Sequence, residues 1–476
     1  MLQSYLVLLS FGWFTFWNSW QFMDFASVST LGKQIFHTDD QGLNWLYSAS
    51  LVAVVVCSIP FIYLLEQHGS TGSWSVMAIG VGCNVCGGWL RWLSVANESY
   101  GIALCSSIFL GFAGAAVIVS IVPLAEHNFP KETRTLATTI AVQMNYLGWC
   151  LSSVVLPSNS TTKIELQSML WIQAILISVS VVLFSLFHRP RPFCCGGESS
   201  SAGAGESSTL LPSDKPSTTS SHDTIASTGT ASTGTASTSS HGIQHHWNQM
   251  TTLFSNRSFM IQCICFSTLG GISFALPAVQ DELFLEVGLA QNLTKWTNLA
   301  FLATGVISGL ILGTIFHSKN IQPSNPYSML TIQILFIVCT VSLSGLAVLA
   351  SCASALSSNV VFGFALVLMS ISGACSLGFV GIALPQAVAV ARPVSEVYSA
   401  SLVEWLLQIW GVIFAQWCAG AGGSPAHHSN TTALSPSSSS SSLDVVTHSS
   451  GFVICAASCA VATFGLLFLS GEQAAK

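Results

Sequence analysis

The sequence predicts an all-α membrane protein with twelve transmembrane helices in two six-helix halves. Three observations lead there. Of 476 residues, 51% are hydrophobic and only 7% are Asp, Glu, Lys or Arg, against roughly 25% charged in an ordinary soluble domain. Apolar runs recur along the chain, each of about 20 residues and so long enough to cross about 30 Å of hydrocarbon. A Ser-, Thr- and Gly-rich tract at 189–257 separates these runs into two groups of six. The mean hydropathy of +0.64 agrees with an exterior that faces lipid.

In chain order, helices are expected at 4–28, 42–65, 73–95, 100–124, 135–156 and 167–187. The second set is expected at 258–285, 294–316, 326–350, 357–389, 398–421 and 450–471. The stretch from Tyr5 to Val28 is too long for a secretory signal and lacks a basic start, so it reads as the first span. The tract 189–257, with its STGTASTGTAST repeat, has too little apolar surface to fold. It is expected to be a disordered cytoplasmic linker between an N-terminal half at 1–188 and a C-terminal half at 258–476. A second serine-rich tract at 422–449, including Ser437–Ser442, reads as a disordered insertion in an outer loop.

Two independent patterns orient the helices. With a cytoplasmic N-terminus, Lys131, Arg134, Arg189, Arg191, Lys215, Arg257, Lys319, Arg392 and Lys476 fall inside. Only Lys33, Arg91, Lys163 and Lys295 fall at or near the other side, which satisfies the positive-inside bias. Glycosylation sequons at Asn97, Asn159, Asn292 and Asn430 all fall in loops placed outside. Asn256, beside the linker, is the exception. One missed helix would scramble both patterns.

Other classes find little support. A net charge of -6 with no basic stripe gives no footprint for nucleic acid. The 15 Cys sit mostly within apolar segments without metal-ligand spacing and read as packing residues. No metal or cofactor is expected, and nothing points to an enzyme.

Polar groups inside spans need an explanation, because an ionisable one costs about 2.5–3.5 kcal/mol to insert. The candidates are Asp24, Arg91, Asp281, Glu282 and Glu404. Glu404 and Gln408 are four apart and share a helical face. Asn18, Gln21 and Asp24, spaced by three, form a second polar ridge. Both are expected to line a cavity between the halves; the alternative is that they only hydrogen-bond between helices. Trp45, beside Asn44 and Tyr47, is expected at the cavity mouth. Aromatic faces with a nearby carboxylate attract an ammonium group, so a small organic cation is the expected substrate.

Six plus six helices with a long cytoplasmic linker is the plan of the major facilitator superfamily, whose halves enclose a midplane site. The segment Leu64-Leu65-Glu66-Gln67-His68-Gly69 resembles its acidic-x-x-Gly signature loop through Glu66 and Gly69. Ser70 and Thr71 replace the basic residues that usually follow, and His317 stands where an acid is common after span eight. Further stretches are similar to one branch, the feline leukaemia virus subgroup C receptor-related transporters. They are Trp17 through Ser29, Asn44-Trp45-Leu46, Asn84 to Arg91 (NVCGGWLR), Asn145-Tyr146-Leu147-Gly148, and Glu396 through Gln408-Ile409-Trp410-Gly411. The resemblance covers nearly all spans.

That resemblance implies transport of choline and ethanolamine, or of haem. It sets Trp45 in the place of an aromatic that stacks on the choline ammonium, and Gln408 in that of a glutamine of the same site. Tyr146 stands where the choline-handling members have another glutamine. Glu404 and Asp24 add acidity where those relatives are neutral. Haem is the alternative substrate, although every His falls in a loop, in the linker or at a span edge. A non-transporting receptor or sensor on the same helices is a second alternative.

The linker carries addresses. Glu206-Ser207-Ser208-Thr209-Leu210-Leu211 fits the acidic dileucine signal that clathrin adaptors read, which predicts endosomal or lysosomal sorting as against residence at the plasma membrane. Cys194 and Cys195 are candidate palmitoylation sites.

Overall fold

The structure is a computed structural model that describes residues 2–188, 238–319, 321, 325–422 and 450–474. The first half holds α1 (Leu2–Ser27), α2 (Ser29–Phe36), α3 (Asp40–Ala96), α4 (Tyr100–Asn128), α5 (Lys131–Asn159) and α6 (Lys163–Phe187). After α7 (Thr238–Ser255), the second half holds α8 (Arg257–Glu286), α9 (Gln291–Ser318), α10 (Pro326–Cys352) and α11 (Ser358–Ser376). It ends with α12 (Val380–Ala391), α13 (Glu396–Gly422) and α14 (Ser450–Ala474). No strand occurs among the described residues.

Local chemistry sets the helix starts. Asp39, Ser99 and Asn256 accept backbone N–H groups at the N-termini of α3, α4 and α8. Thr162 and Glu165 form a capping box on α6. Pro326 opens α10, where its missing N–H has no helical partner to lose.

Helix α3 holds two apolar stretches, Asp40–Gln67 and Thr71–Ala96. A straight helix of its 57 residues would be about 85 Å long. Yet the Tyr100 hydroxyl, just beyond one end, donates to the Gly42 carbonyl at the other at 2.8 Å. The chain therefore doubles back on itself, and the reversal falls between the two stretches, where Gly69 lies. Small residues of α4 seat both arms: a Cβ on Gly111 would meet the Ser50 carbonyl at 2.3 Å, and Gly80 of the second arm abuts Ala116.

Eleven described stretches are long and apolar enough to cross a membrane. Helix α1 brings the number to twelve: its 26 residues span about 39 Å, and its Trp, Asn and Gln lower its apolarity. It buries most of those groups inside the bundle, where Phe16, Trp17 and Trp20 touch one another and Trp13 touches Trp17.

Three elements go beyond the sequence reading. The tenth span is two helices, α11 and α12, with a break at Leu377–Phe379. The Ser376 carbonyl accepts the Ser273 hydroxyl of α8 at 3.1 Å, which satisfies a group the break would orphan. Helix α2 links α1 to α3 and packs on both. Helix α7 occupies 238–255 of the expected linker, where Leu253 is fully buried and Gln249 accepts the Ser395 N–H. Residues 189–237 of that linker and the tract 423–449 lie outside the described residues.

One end of the bundle gathers the α3 reversal, α7 and the facing ends of α4, α5, α9 and α13. There Arg134 pairs with Glu126 at 3.6 Å, and the His317 ring contacts the Glu132 carbonyl at 2.9 Å. The other end carries the ion pairs Lys33–Asp40 and Lys163–Glu98. Lys163 draws the exposed Glu98 carboxyl below its ordinary pKa, chiefly through their hydrogen bond. Asn97 and Asn159 are exposed at this second end.

Candidate functional site

Between the halves lies a cavity of about 40 Å³. Helix α1 contributes Asn18, Ser19 and Phe22; α5 contributes Asn145, Tyr146 and Trp149; α8 contributes Phe274; and α13 contributes Glu404 and Gln408. Apolar residues of α4, including Val117 and Ile121, complete the wall. Glu404 is the only charged residue in that lining. It is 6% exposed, and the ion pairs among the described residues do not include it.

The position of Glu404 follows from helix packing. Glycines 270 and 271 of α8 let α13 approach until Leu407 and Trp410 touch the α8 backbone line; a Cβ on Gly270 would stand 2.3 Å from Leu407 Cδ1. That seats Glu404 and Gln408, one turn apart, against the cavity. Gln408 Oε1 is buried there without a hydrogen-bond partner.

Aromatic rings line the cavity across the two halves. Phe274 meets Trp149 edge-on at 4.6 Å between centroids and Tyr146 at 6.1 Å. The Tyr47 hydroxyl donates to the Phe274 carbonyl at 2.7 Å. On the opposite wall the Ser19 hydroxyl donates to Asn145 Oδ1.

The structure thus brings together Asn18, Tyr146, Glu404 and Gln408. It places the other three expected residues elsewhere. Trp45 is 43% exposed on the outer face of α3. Its neighbours Asn44, Tyr47 and Ser48 face the second half instead, contacting Glu282, Phe274 and Gln416. Gln21 and Asp24 point into the first half. Gln21 Nε2 donates to Asn84 Oδ1 at 2.9 Å, an atom that also accepts Asn18 Nδ2 at 3.1 Å. Asp24 is fully buried, 3.7 Å from Arg91 Nε, and accepts Gln173 Nε2 at 3.1 and 3.3 Å. For Gln21 and Asp24, interhelical bonding is the role observed.

Trp149 and Phe274 escaped the sequence reading. Trp149 had a signal, since it follows Tyr146 by three and shares its face. Phe274 had none, because α8 is buried almost all round and no stripe marks its cavity side.

Among the remaining expected residues, Glu66 accepts the Ser395 hydroxyl of the second half at 2.6 Å. Asn292 lies in the first turn of α9. Asn430, Glu206, Leu210, Leu211, Cys194 and Cys195 lie outside the described residues.

Residues 5–415 match the Major Facilitator Superfamily. The chain belongs to that superfamily. Choline/ethanolamine transporter FLVCR1 of Mus musculus is 27% identical over 154 residues, 32% of this chain and 27% of that protein. Solute carrier family 49 member A3 of Danio rerio is 28% identical over 196 residues, 40% of each. The chain therefore spans well under half the length of the curated relatives it matches. A crystal structure of the E. coli fucose:proton symporter FucP covers 98% of both chains with a TM-score of 0.59 at 12% identity, and one of the Major Facilitator Superfamily transporter FucP in the outward conformation covers 98% of both with 0.58 at 13%. That likeness is one of fold: the two-half, twelve-helix bundle of a major facilitator transporter.

Proposed function

We propose that the chain carries a small organic cation, such as choline or ethanolamine, across a membrane by alternating access. One observation supports this above the rest: the central cavity has Glu404 as its only charged lining residue, together with the aromatic side chains of Tyr146, Trp149 and Phe274. A carboxylate out of water needs a counter-charge, and an ammonium beneath aromatic faces gains roughly 2 kcal/mol or more when desolvated. The name of the relative FLVCR1, a choline/ethanolamine transporter, points the same way. A cavity of about 40 Å³ holds little more than a few waters, so any solute has to part the halves, as a rocking carrier does.

The topology completes the proposal. The end with the α3 reversal faces the cytoplasm, together with both termini and the linker, and Asn97, Asn159, Asn292 and Asn430 face outward for glycosylation. The dileucine at Leu210 and Leu211 directs the protein to endosomes or lysosomes through clathrin adaptors; replacing both by Ala should shift it to the cell surface, and an unchanged distribution would remove the motif from the account.

Tracer uptake of choline, ethanolamine and haem in cells lacking their own carriers tests the substrate. Glu404→Gln keeps the shape and removes the charge, and it should lower cation uptake by about tenfold or more, the size of one charge-assisted contact. Haem movement with choline uptake absent, or a Glu404→Gln variant that still carries choline normally, would overturn the cation reading.

A further inference from the structure

At the end of the bundle opposite the α3 reversal, a second cavity of about 350 Å³ lies between the halves. It stands on the same helices as the first. Helix α1 lends Asn18 to the central cavity and Ser27 to the outer one; α5 lends Trp149 and then Ser153; α8 lends Phe274 and then Asp281. The seven residues from Phe274 to Asp281 correspond to about 10 Å along α8. Trp149 and Phe274, in edge-on contact across the halves, line the central cavity below that level. Water reaches the outer cavity past Thr30, Gln34 and Thr161, which line it and are exposed.

Its chemistry is incomplete without a ligand. Asp281 lines the cavity; its carboxylate takes a hydrogen bond from the Thr294 side chain, while its Oδ1 is buried with no hydrogen-bond partner. Lys295, also in the lining, does not pair with it; its ammonium lies 5.8 Å from the centroid of the Trp296 ring. A buried carboxylate oxygen left unpaired is costly, and a donor entering from the mouth removes that cost. Lys295 and the Gln34 amide offer donors to a hydroxyl on the same ligand, and Asn298 Oδ1, buried without a hydrogen-bond partner while its Nδ2 donates to the Pro277 carbonyl, accepts the hydroxyl hydrogen.

We propose that this outer cavity is a second binding site for an alkanolammonium ion, with the ammonium on Asp281 and the hydroxyl toward Lys295 and Asn298. The site loads the substrate before Trp149 and Phe274 separate and release it toward Glu404. This rests on the cation reading of the central cavity, and the two fail differently.

The experiment is equilibrium binding of radiolabelled choline to the full chain in nanodiscs, with uptake measured in parallel. The expected stoichiometry is two per chain. Asp281→Asn should leave one and raise the uptake KM about tenfold with Vmax kept, the effect of one lost charge-assisted hydrogen bond; Asp281→Glu should restore both. Glu404→Gln should also leave one bound choline but lower Vmax. One choline per wild-type chain, with uptake by Asp281→Asn unaltered and uptake by Glu404→Gln abolished, would refute the outer site and leave the central reading standing. No choline bound to the wild-type chain, with uptake indifferent to Glu404→Gln, would sink both. A loss of uptake in both Asp281 variants, together with loss of the folded peak on size exclusion, assigns Asp281 to structure and overturns the proposal.

Discussion

Asp24→Asn separates a structural carboxylate from a transporting one. Asp24 is fully buried in the first half, 3.7 Å from Arg91 Nε, and the Arg91 guanidinium lies 4.6 Å from the centre of the Phe25 ring. At that separation and an effective dielectric of about 20, the attraction is about 4.5 kcal/mol. Asparagine keeps the shape and the acceptor for Gln173 but leaves the guanidinium without its counter-charge. Arg91 Nε and Nη1 have no hydrogen-bond partner. Removing one member of a buried pair costs about 3–5 kcal/mol, whereas replacing both by neutral groups is close to neutral. Unfolding of the purified chain in mixed micelles, followed by tryptophan fluorescence against the fraction of denaturing detergent, should therefore show a loss of about 3–5 kcal/mol for Asp24→Asn. Arg91→Met should lose a similar amount, and the double variant should return close to the parent. Losses that simply add in the double variant would refute the reasoning, because they would mean that the two charges do not answer one another.

Trp45→Ala should leave choline affinity unchanged, since the ring lies on the outer face, while Trp149→Ala should weaken it by about 1–2 kcal/mol, the scale of a desolvated cation–π contact; competition binding with both variants decides between the two rings. Gly148→Ala should destabilise the fold by about 1–3 kcal/mol, because its Cβ would stand 2.2 Å from the Phe16 carbonyl. Gly82→Ala meets nothing within 4 Å and should be neutral or slightly stabilising; equal melting shifts for the two glycines would contradict this packing. Glu66→Gln weakens the bond from Ser395 across the two halves. A loss of about 1 kcal/mol is roughly fivefold in favour of states open at that end, readable as spin-label distance populations between α3 and α13, and unaltered populations would exclude Glu66 as a latch.

The helices were legible because a bilayer demands long apolar runs, and the sequence reading placed their ends within a few residues of α1, α4, α6, α10 and α14. The short α2 and the docked α7 were not, because neither has the length or apolarity that signals a span. At the site, what separates the residues read well from those read badly is helical rotation. Each residue turns a helix by about 100°, so a spacing of four returns to within about 40° of its start, whereas two spacings of three drift by about 120°. Glu404 and Gln408 therefore stay on one face and meet in the central cavity. Asn18, Gln21 and Asp24 do not: Asn18 lines the cavity, Gln21 has turned to Asn84, and Asp24 has turned to Arg91 and Gln173. The same rotation removes Trp45, one residue round from Asn44, from the face that meets the second half. An ungapped polar ridge with a spacing of three is thus a wrapped path from the cavity into the body of its own half, and a carboxylate at its far end belongs to the fold before it belongs to the substrate.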